Sequence, residues 1–459
     1  MTDLALGLSA YKRGSGALPE VKCINLFAEQ TPTNKGGVAL LGRPALVPWV
    51  DIDVGPIRAV FRRAGAFDGD FIAVSGTNVY RVNSAGTATL LDGGIGDPDT
   101  RVSIAASDTH VFFANGNNAY VSTGTDVLPI DFPDDAGVAW VEYLQGYFLF
   151  VRSDSETFYW LAPGDIDIDA LNFISAERSP DGLRAMKVLG DEAWAFGEAT
   201  IEIFVATGQA DPAFQRVQGR VFDRGCLNAN TIASMDNTLF WVGDDHIVYR
   251  GSGVPTRVSE HTIEEWLRGS TADDLRAWTF SFDGHTFYAL TNGDDKSYVF
   301  DASTSGWCEF SSYQRGSWRA HLGAFNSSLI VAGDDELGRL WYLSDTVFLD
   351  DTAAIIAEAT AGITVQGNTP PCHNVFFDSA KGLAGAGVTD HWVEMRQSDD
   401  AGNTWSGWER ANLGAMGEYG TRSVWRRRGN MRSPGRIFSF RISSPARIRI
   451  SGARMNETV

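Results

Sequence analysis

The sequence is poor in the residues that staple, ligate or catalyse. Its 459 residues include four cysteines, Cys23, Cys226, Cys308 and Cys372, with no C-x-x-C spacing. That excludes a zinc ribbon or a disulfide scaffold and fits a reducing compartment. Seven histidines stand isolated: His110, His246, His261, His285, His321, His373 and His391. No Gly-Lys pair exists, which removes a Walker phosphate loop, and H-E-x-x-H, G-x-S-x-G and a strand-following G-x-G-x-x-G are missing too. No catalytic residue, cofactor or metal is expected. The longest apolar run, near Tyr143 to Val151, is too short for a bilayer, and the N-terminus lacks a basic leader, so synthesis in the cytoplasm without a membrane segment is expected. Helical periodicity is scarce. The one candidate is Ser259 to Leu267, with Thr262-x-x-Glu265 read as a capping box and Gly269 as the stop.

Positive charge is also in deficit, 38 basic against 57 acidic residues, net −19, which argues against a non-specific nucleic-acid binder. The deficit is uneven. Residues 421–459 carry ten arginines and one acid, Glu457, so a +9 end follows a −28 body. Hydrophobic residues make up 44% and aromatics 12%, enough apolar surface to offset chain entropy and exclude wholesale disorder. The length is about three times a typical domain, so one enlarged architecture with an appended domain is expected.

Repetition is the strongest signal present. Val-, Phe-, Tyr- and Trp-rich hairpins with Gly/Asn/Asp turns begin at Phe71, His110, Gly146, Asp191, Asn237, Gly284 and Ser327, 36 to 47 residues apart. A four-stranded propeller blade needs about 40 to 50 residues. The reading is all-β: a β-propeller of six or seven blades over residues 56–350, an extended N-terminal arm or part of a second β domain over 1–55, and a C-terminal Arg-rich β domain over 351–459. In that last region Phe438-Ser439-Phe440-Arg441-Ile442 and Arg447-Ile448-Arg449-Ile450 alternate with period two, which predicts apolar residues on one face and arginines largely on the other.

Four groups of residues invite a functional reading. Asp165-x-Asp167-x-Asp169 begins like a calcium loop, but Ala170 stands where glycine is needed and Ala176 where the bidentate Glu belongs, so a solvated acidic loop is expected. Asp334-Asp335-Glu336 and Asp244-Asp245 are read as hairpin turns. Ser398, Asp400, Gly402, Thr404 and Trp405 satisfy S-x-D-x-G-x-T-W, a pattern that resembles the Asp-box turns of sialidase-type propellers. There the Asp binds the turn backbone and the Trp packs into the core, an architectural role. The arginines Arg422, Arg426, Arg427, Arg428, Arg432, Arg436 and Arg441 form either a solvated sheet face, a contact to an acidic subunit or a contact to DNA. The first six are the candidate subunit interface.

In the middle of the chain a resemblance emerges. Tyr143-Leu144-Gln145-Gly146-Tyr147-Phe148, Ala176-Glu177, Pro180-Asp181 and Ala193-Trp194-Ala195-Phe196-Gly197-Glu198 come first. Thr207-Gly208, Pro212-Ala213-Phe214, Gly225-Cys226, Phe240-Trp241-Val242-Gly243, Ser259-Glu260-His261 and Gly284-His285-Thr286-Phe287-Tyr288 follow in order. With Asn25-Leu26-Phe27-Ala28-Glu29, Gly42-Arg43-Pro44 and the block from Ser398 to Gly452, the chain resembles the packaged-DNA stabilisation or tail hub (nozzle) proteins of short-tailed bacteriophages. Arg43, where a small residue is expected, and the short turn at Asp245-His246 depart from the pattern. The resemblance implies a non-enzymatic virion protein made in the host cytoplasm and placed in the tail. It would form a hexameric ring below the portal and its adaptor, carry needle, fibre or spike proteins, and let packaged DNA pass without sequence-specific binding. The alternative is a glycan-binding or glycan-cleaving propeller on a virion or cell surface.

Overall fold

The computed structural model describes residues 2–8, 10, 21–31, 37–176, 181–365, 369–385, 388 and 390–456. Glu177, Pro180 and Glu457 lie outside them. Each of the seven hairpins forms the two middle strands of an antiparallel sheet. Six of these sheets stand apart with four strands each, or five where Asp92–Gly93 adds to the second. A seventh unit, Leu275–Phe282, His285–Asn292, Lys296–Asp301 and Gly306–Phe310, continues through its outer strand into the C-terminal domain. We number the blades 1 to 7 from the one that opens with Ile57–Arg62. The first strand of blade 7, Ala320–Phe325, packs on Ile57–Arg62 and closes the ring.

The outer strand of blade 7 is Ala45–Asp53, paired antiparallel with Gly338–Ser344. This strand falls in the stretch read as the arm. Without it Gly338–Ser344 would be a free edge, a template for unwanted pairing. Asx side chains set the turns: Asn115 Oδ1 accepts the amides of Asn117 and Asn118 at 3.0 and 2.7 Å, and Asp334 Oδ1 those of Glu336 and Leu337 at 2.9 and 2.7 Å. Aromatic pairs fill the seams between blades. Trp49 meets Phe71 (ring centroids 5.5 Å apart), Phe112 meets Phe148 (4.3 Å), Phe158 meets Phe204 (5.0 Å), Phe196 meets Trp241 (5.5 Å) and Phe240 meets Tyr288 (5.2 Å). Such pairs add about 0.5–1.5 kcal/mol each beyond the area they bury.

Among the described residues the only α-helix is His261–Arg268, ended by Gly269. The capping box is not there. Glu260 is the N-cap and Thr262 lies inside the helix. Instead, buried Glu264 accepts from Ser259 Oγ at 2.9 Å and pairs with Arg257 at 2.6 Å.

The C-terminal domain is a β-sandwich woven with the N-terminal arm. One sheet places Arg449–Met455 between Thr2–Leu6 and Asn374–Ser379, with Ser423–Arg426 at the edge. The other joins Ala357–Thr364, Gly435–Ile442, Trp392–Ser398 and Glu409–Asn412. Thr2–Leu6 crosses between the two sheets. One apolar core runs from Trp278, Phe287 and Trp318 of the propeller region to Phe377, Trp425 and Phe440 of the sandwich.

Arg43 ties the N-terminal arm to the propeller region at Ser311 and Asp350. Its side chain is 0% exposed and forks onto Asp350, with Nη1 to Oδ1 at 3.0 Å and Nη2 to Oδ2 at 2.5 Å. Nε donates to Asn25 Oδ1 at 2.8 Å, and the remaining donors reach the carbonyls of Pro44 and Ser311 at 2.7 and 2.9 Å. The apparent departure from the family pattern is thus a buried structural residue.

Candidate assembly surface

The arginine run divides by burial and pairing. Arg436 shares strand parity with Phe438 and Phe440 and so points to the core side; it is 2% exposed and forks onto Asp399 at 2.6 and 2.8 Å. Its other donors go to the carbonyls of Arg428 and Asn430. Arg428 forks onto Glu409 at 2.6 and 2.9 Å, and Arg441 onto Glu394. These three are engaged within the domain itself. Arg422, Arg426, Arg427 and Arg432 remain exposed, and among the described residues none of them makes an ion pair. Arg422 and Arg426 flank the outward-facing Val424 on or beside the edge strand Ser423–Arg426. Arg427 follows in a left-handed turn at φ +57°.

The Asp box forms its turn in the sandwich, after Trp392–Ser398, rather than on a propeller hairpin. Asp400 Oδ1 accepts the Thr404 amide at 2.8 Å and Ser398 Oγ at 2.7 Å, while Oδ2 accepts Thr404 Oγ1 at 2.6 Å. These bonds, the Thr404 hydroxyl foremost, hold the Asp400 carboxyl down at about 2. Gly402, at φ +94°, permits the reversal. Trp405 does not enter the core as expected. It is half-buried under the Arg396 guanidinium, 4.5 Å from the ring centroid, and Arg396 also covers Trp408 at 4.4 Å. Arg441 covers Trp408 at 4.2 Å, and Arg410 covers Trp392 at 4.3 Å. Glu394 and Glu358 compensate these guanidiniums. The pattern W-x-x-W, followed by charged residues on paired strands, was the available signal for this ladder.

Two of the histidines, His285 and His391, sit in structural contacts. His285 Nδ1 lies 2.8 Å from Asp301, whose hydrogen bond raises its pKa above the ordinary value. His391 Nδ1 lies 2.5 Å from Ser444 Oγ, but both are buried, and burial lowers the imidazole pKa. Asp165, Asp167 and Asp169 lie in an exposed loop, where Asp169 caps the Leu171 amide at 2.9 Å. Among the described residues no group of three or more His, Cys, Asp or Glu converges on a metal position. The four cysteines are buried and unpaired, and burial pushes the Cys23 thiol up to about 12. No helix among the described residues is long and apolar enough to cross a membrane.

Known proteins bear on this arrangement in three ways. No curated protein matches the sequence. Among solved structures, a streptogramin B lyase is 12% identical over 66% of this chain and 98% of its own, with a TM-score of 0.47. The propeller domain of Cps50 (Swd1) from Myceliophteria thermophila is 13% identical over 66% of this chain and 100% of its own, with a TM-score of 0.44. Neither likeness is close enough to carry an inference. Residues 24–348 match the family model of the bacteriophage P22 Gp10 β-propeller and residues 358–458 that of the bacteriophage P22 Gp10 β-sandwich. With propeller and sandwich both matched in order, the chain belongs to the bacteriophage P22 Gp10 family of phage tail structural proteins.

Proposed function

We propose that this chain is the tail hub, or nozzle, of a short-tailed phage. It acts without catalysis as a hexameric ring beneath the portal and adaptor, retains packaged DNA and offers docking sites for needle, fibre or spike proteins. The observation that carries the assembly half of this reading is the set of four exposed, unpaired arginines, Arg422, Arg426, Arg427 and Arg432, on the sandwich of a chain whose net charge is −19. An acidic surface on the neighbouring subunit or adaptor is their natural partner, because guanidinium forks match carboxylates. DNA would pass through the lumen of the ring rather than through the propeller. In the propeller, Arg101 at the start of blade 2 reaches across the axis to the carbonyl of Asn230 at 2.9 Å. A predominantly acidic chain suits a conduit, since basic walls would hold the phosphates.

The test is Arg426→Glu with Arg427→Glu. The variant should keep the wild-type circular dichroism and lose ring formation or docking to portal complexes in electron micrographs. Wild-type assembly should weaken with salt, which screens exposed charges beyond a Debye length of about 8 Å at physiological strength. A variant that assembles and docks as wild type across that salt range overturns the assignment.

A further inference from the structure

Buried arginines in this chain are otherwise neutralised by a carboxylate fork, Arg43 by Asp350 and Arg436 by Asp399. Three arginines in the propeller channel, Arg58 buried and Arg101 and Arg276 half-buried, are not. Arg58, 4% exposed, donates only to Thr100 Oγ1 and to the carbonyls of Gly76, Ile95, Gly96 and Thr100. Arg101 donates to the carbonyls of Asn230 and Ala277 at 2.9 and 3.4 Å, and Arg276 to that of Asp273 at 3.1 Å. Among the described residues none of the three forms an ion pair with a carboxylate. Unpaired charge in a desolvated place is costly, and proteins normally compensate it.

The three arginines line one cavity of about 200 Å³ together with His321 and Thr291. His321 is 6% exposed; its Nε2 lies 3.2 Å from the Ile57 carbonyl and its Nδ1 has no partner. Burial, then the charges of Arg101 and Arg276, drive its pKa down to about 3, a sign of the positive potential there. Asp99, Asp274, Asp294 and Asp335 line the same cavity; the first three are exposed, and Asp335 is engaged by Arg315 and Arg319. Asp274 acts on Arg276, and Asp97 and Asp99 on Arg58, whereas among the described residues no carboxylate acts on Arg101. A guanidinium has five donors, so Arg58 is saturated and supplies only charge, whereas Arg101 and Arg276 keep donors in reserve.

We propose that this cavity binds one small tetrahedral oxyanion of the phosphate or sulfate class. Arg101 from blade 2 and Arg276 from blade 6 hold it, with Arg58 of blade 1 adding charge. Guanidinium charge arriving from three blades suits a tetrahedral anion better than a planar carboxylate, which one guanidinium fork satisfies.

Calorimetry with sulfate on the full chain tests this, because the charge of sulfate does not change near neutral pH; inorganic phosphate and acetate provide the comparisons. One sulfate per chain should bind, and Arg276→Gln should weaken it about tenfold or more. Arg101→Gln should weaken it likewise, which decides the matter even if Arg276→Gln does not fold. Absence of saturable sulfate and phosphate binding, or wild-type affinity in a folded Arg276→Gln, overturns the site. Acetate binding as tightly as sulfate overturns the tetrahedral assignment.

Discussion

Replacing Arg43 by alanine should loosen the N-terminal arm from the propeller region at Ser311 and Asp350. The substitution removes both arms of the fork to Asp350 and three further bonds, to Asn25 Oδ1 and to the carbonyls of Pro44 and Ser311. Asp350, whose side chain is 8% exposed, would be left with the Leu46 amide at 2.9 Å. Breaking a buried pair by deleting one partner costs about 3–5 kcal/mol, because the other charge stays buried without compensation. The lost bonds to neutral groups, about 1 kcal/mol each in isolation, overlap with that figure and do not add to it. Urea unfolding followed by tryptophan fluorescence reads the effect, and Trp318, whose ring lies 5.7 Å from the Arg43 guanidinium carbon, is a local reporter. At an m-value of about 3 kcal/mol/M, the midpoint should fall by roughly 1–2 M. Asp350→Ala should cost a similar amount, and the double variant less than the sum, with a coupling above about 1 kcal/mol. A single-variant loss under about 1 kcal/mol, or strict additivity, would refute this tie.

Arg436→Ala should cost about 2–3 kcal/mol through the lost charged bonds to Asp399, whereas Arg426→Ala should stay within about 0.5 kcal/mol; thermal melts of the two separate a structural arginine from a surface one. Trp241→Ala, which empties a fully buried site between blades 4 and 5, should destabilise by about 3–5 kcal/mol in urea titrations. His285 has a raised folded pKa, so its bond to Asp301 contributes stability that is full below about pH 6.5 and fades as pH rises through the folded value. Stability measured against pH should lose that dependence in Asp301→Asn. Asp400 has a depressed pKa of about 2, so the contribution of its carboxylate to the turn is present above the unfolded value near 4 and fades only as pH falls toward 2. The Thr404 amide resonance, followed by NMR on acidification, should move near pH 2, and movement near pH 4 would contradict the turn geometry.

Alternating apolar runs and Asx or glycine turns act over a few residues, so the middle hairpins of all seven blades were legible along the chain. So were the changed character beyond residue 350 and the stop of the helix at Gly269. Strand parity even carried the fate of Arg436, which falls in phase with Phe438 and Phe440, although a reading by composition grouped it with its exposed neighbours. Pairings between distant segments were not legible. Ala45–Asp53 finds its partner strand nearly the whole propeller away, and Arg43 finds Asp350 across 307 residues. Nothing local marks which arginine meets Glu409, which tryptophan lies under Arg396, or that Arg58, Arg101 and Arg276 from separate blades share a cavity. Local sequence sets backbone preference and side-chain parity, whereas compensation of charge and closure of edges depend on which remote segments the folded chain brings together. The propeller was therefore written in the repeats of this sequence, and the exposed arginines and the channel cations became distinguishable from structural ones only in the tertiary structure.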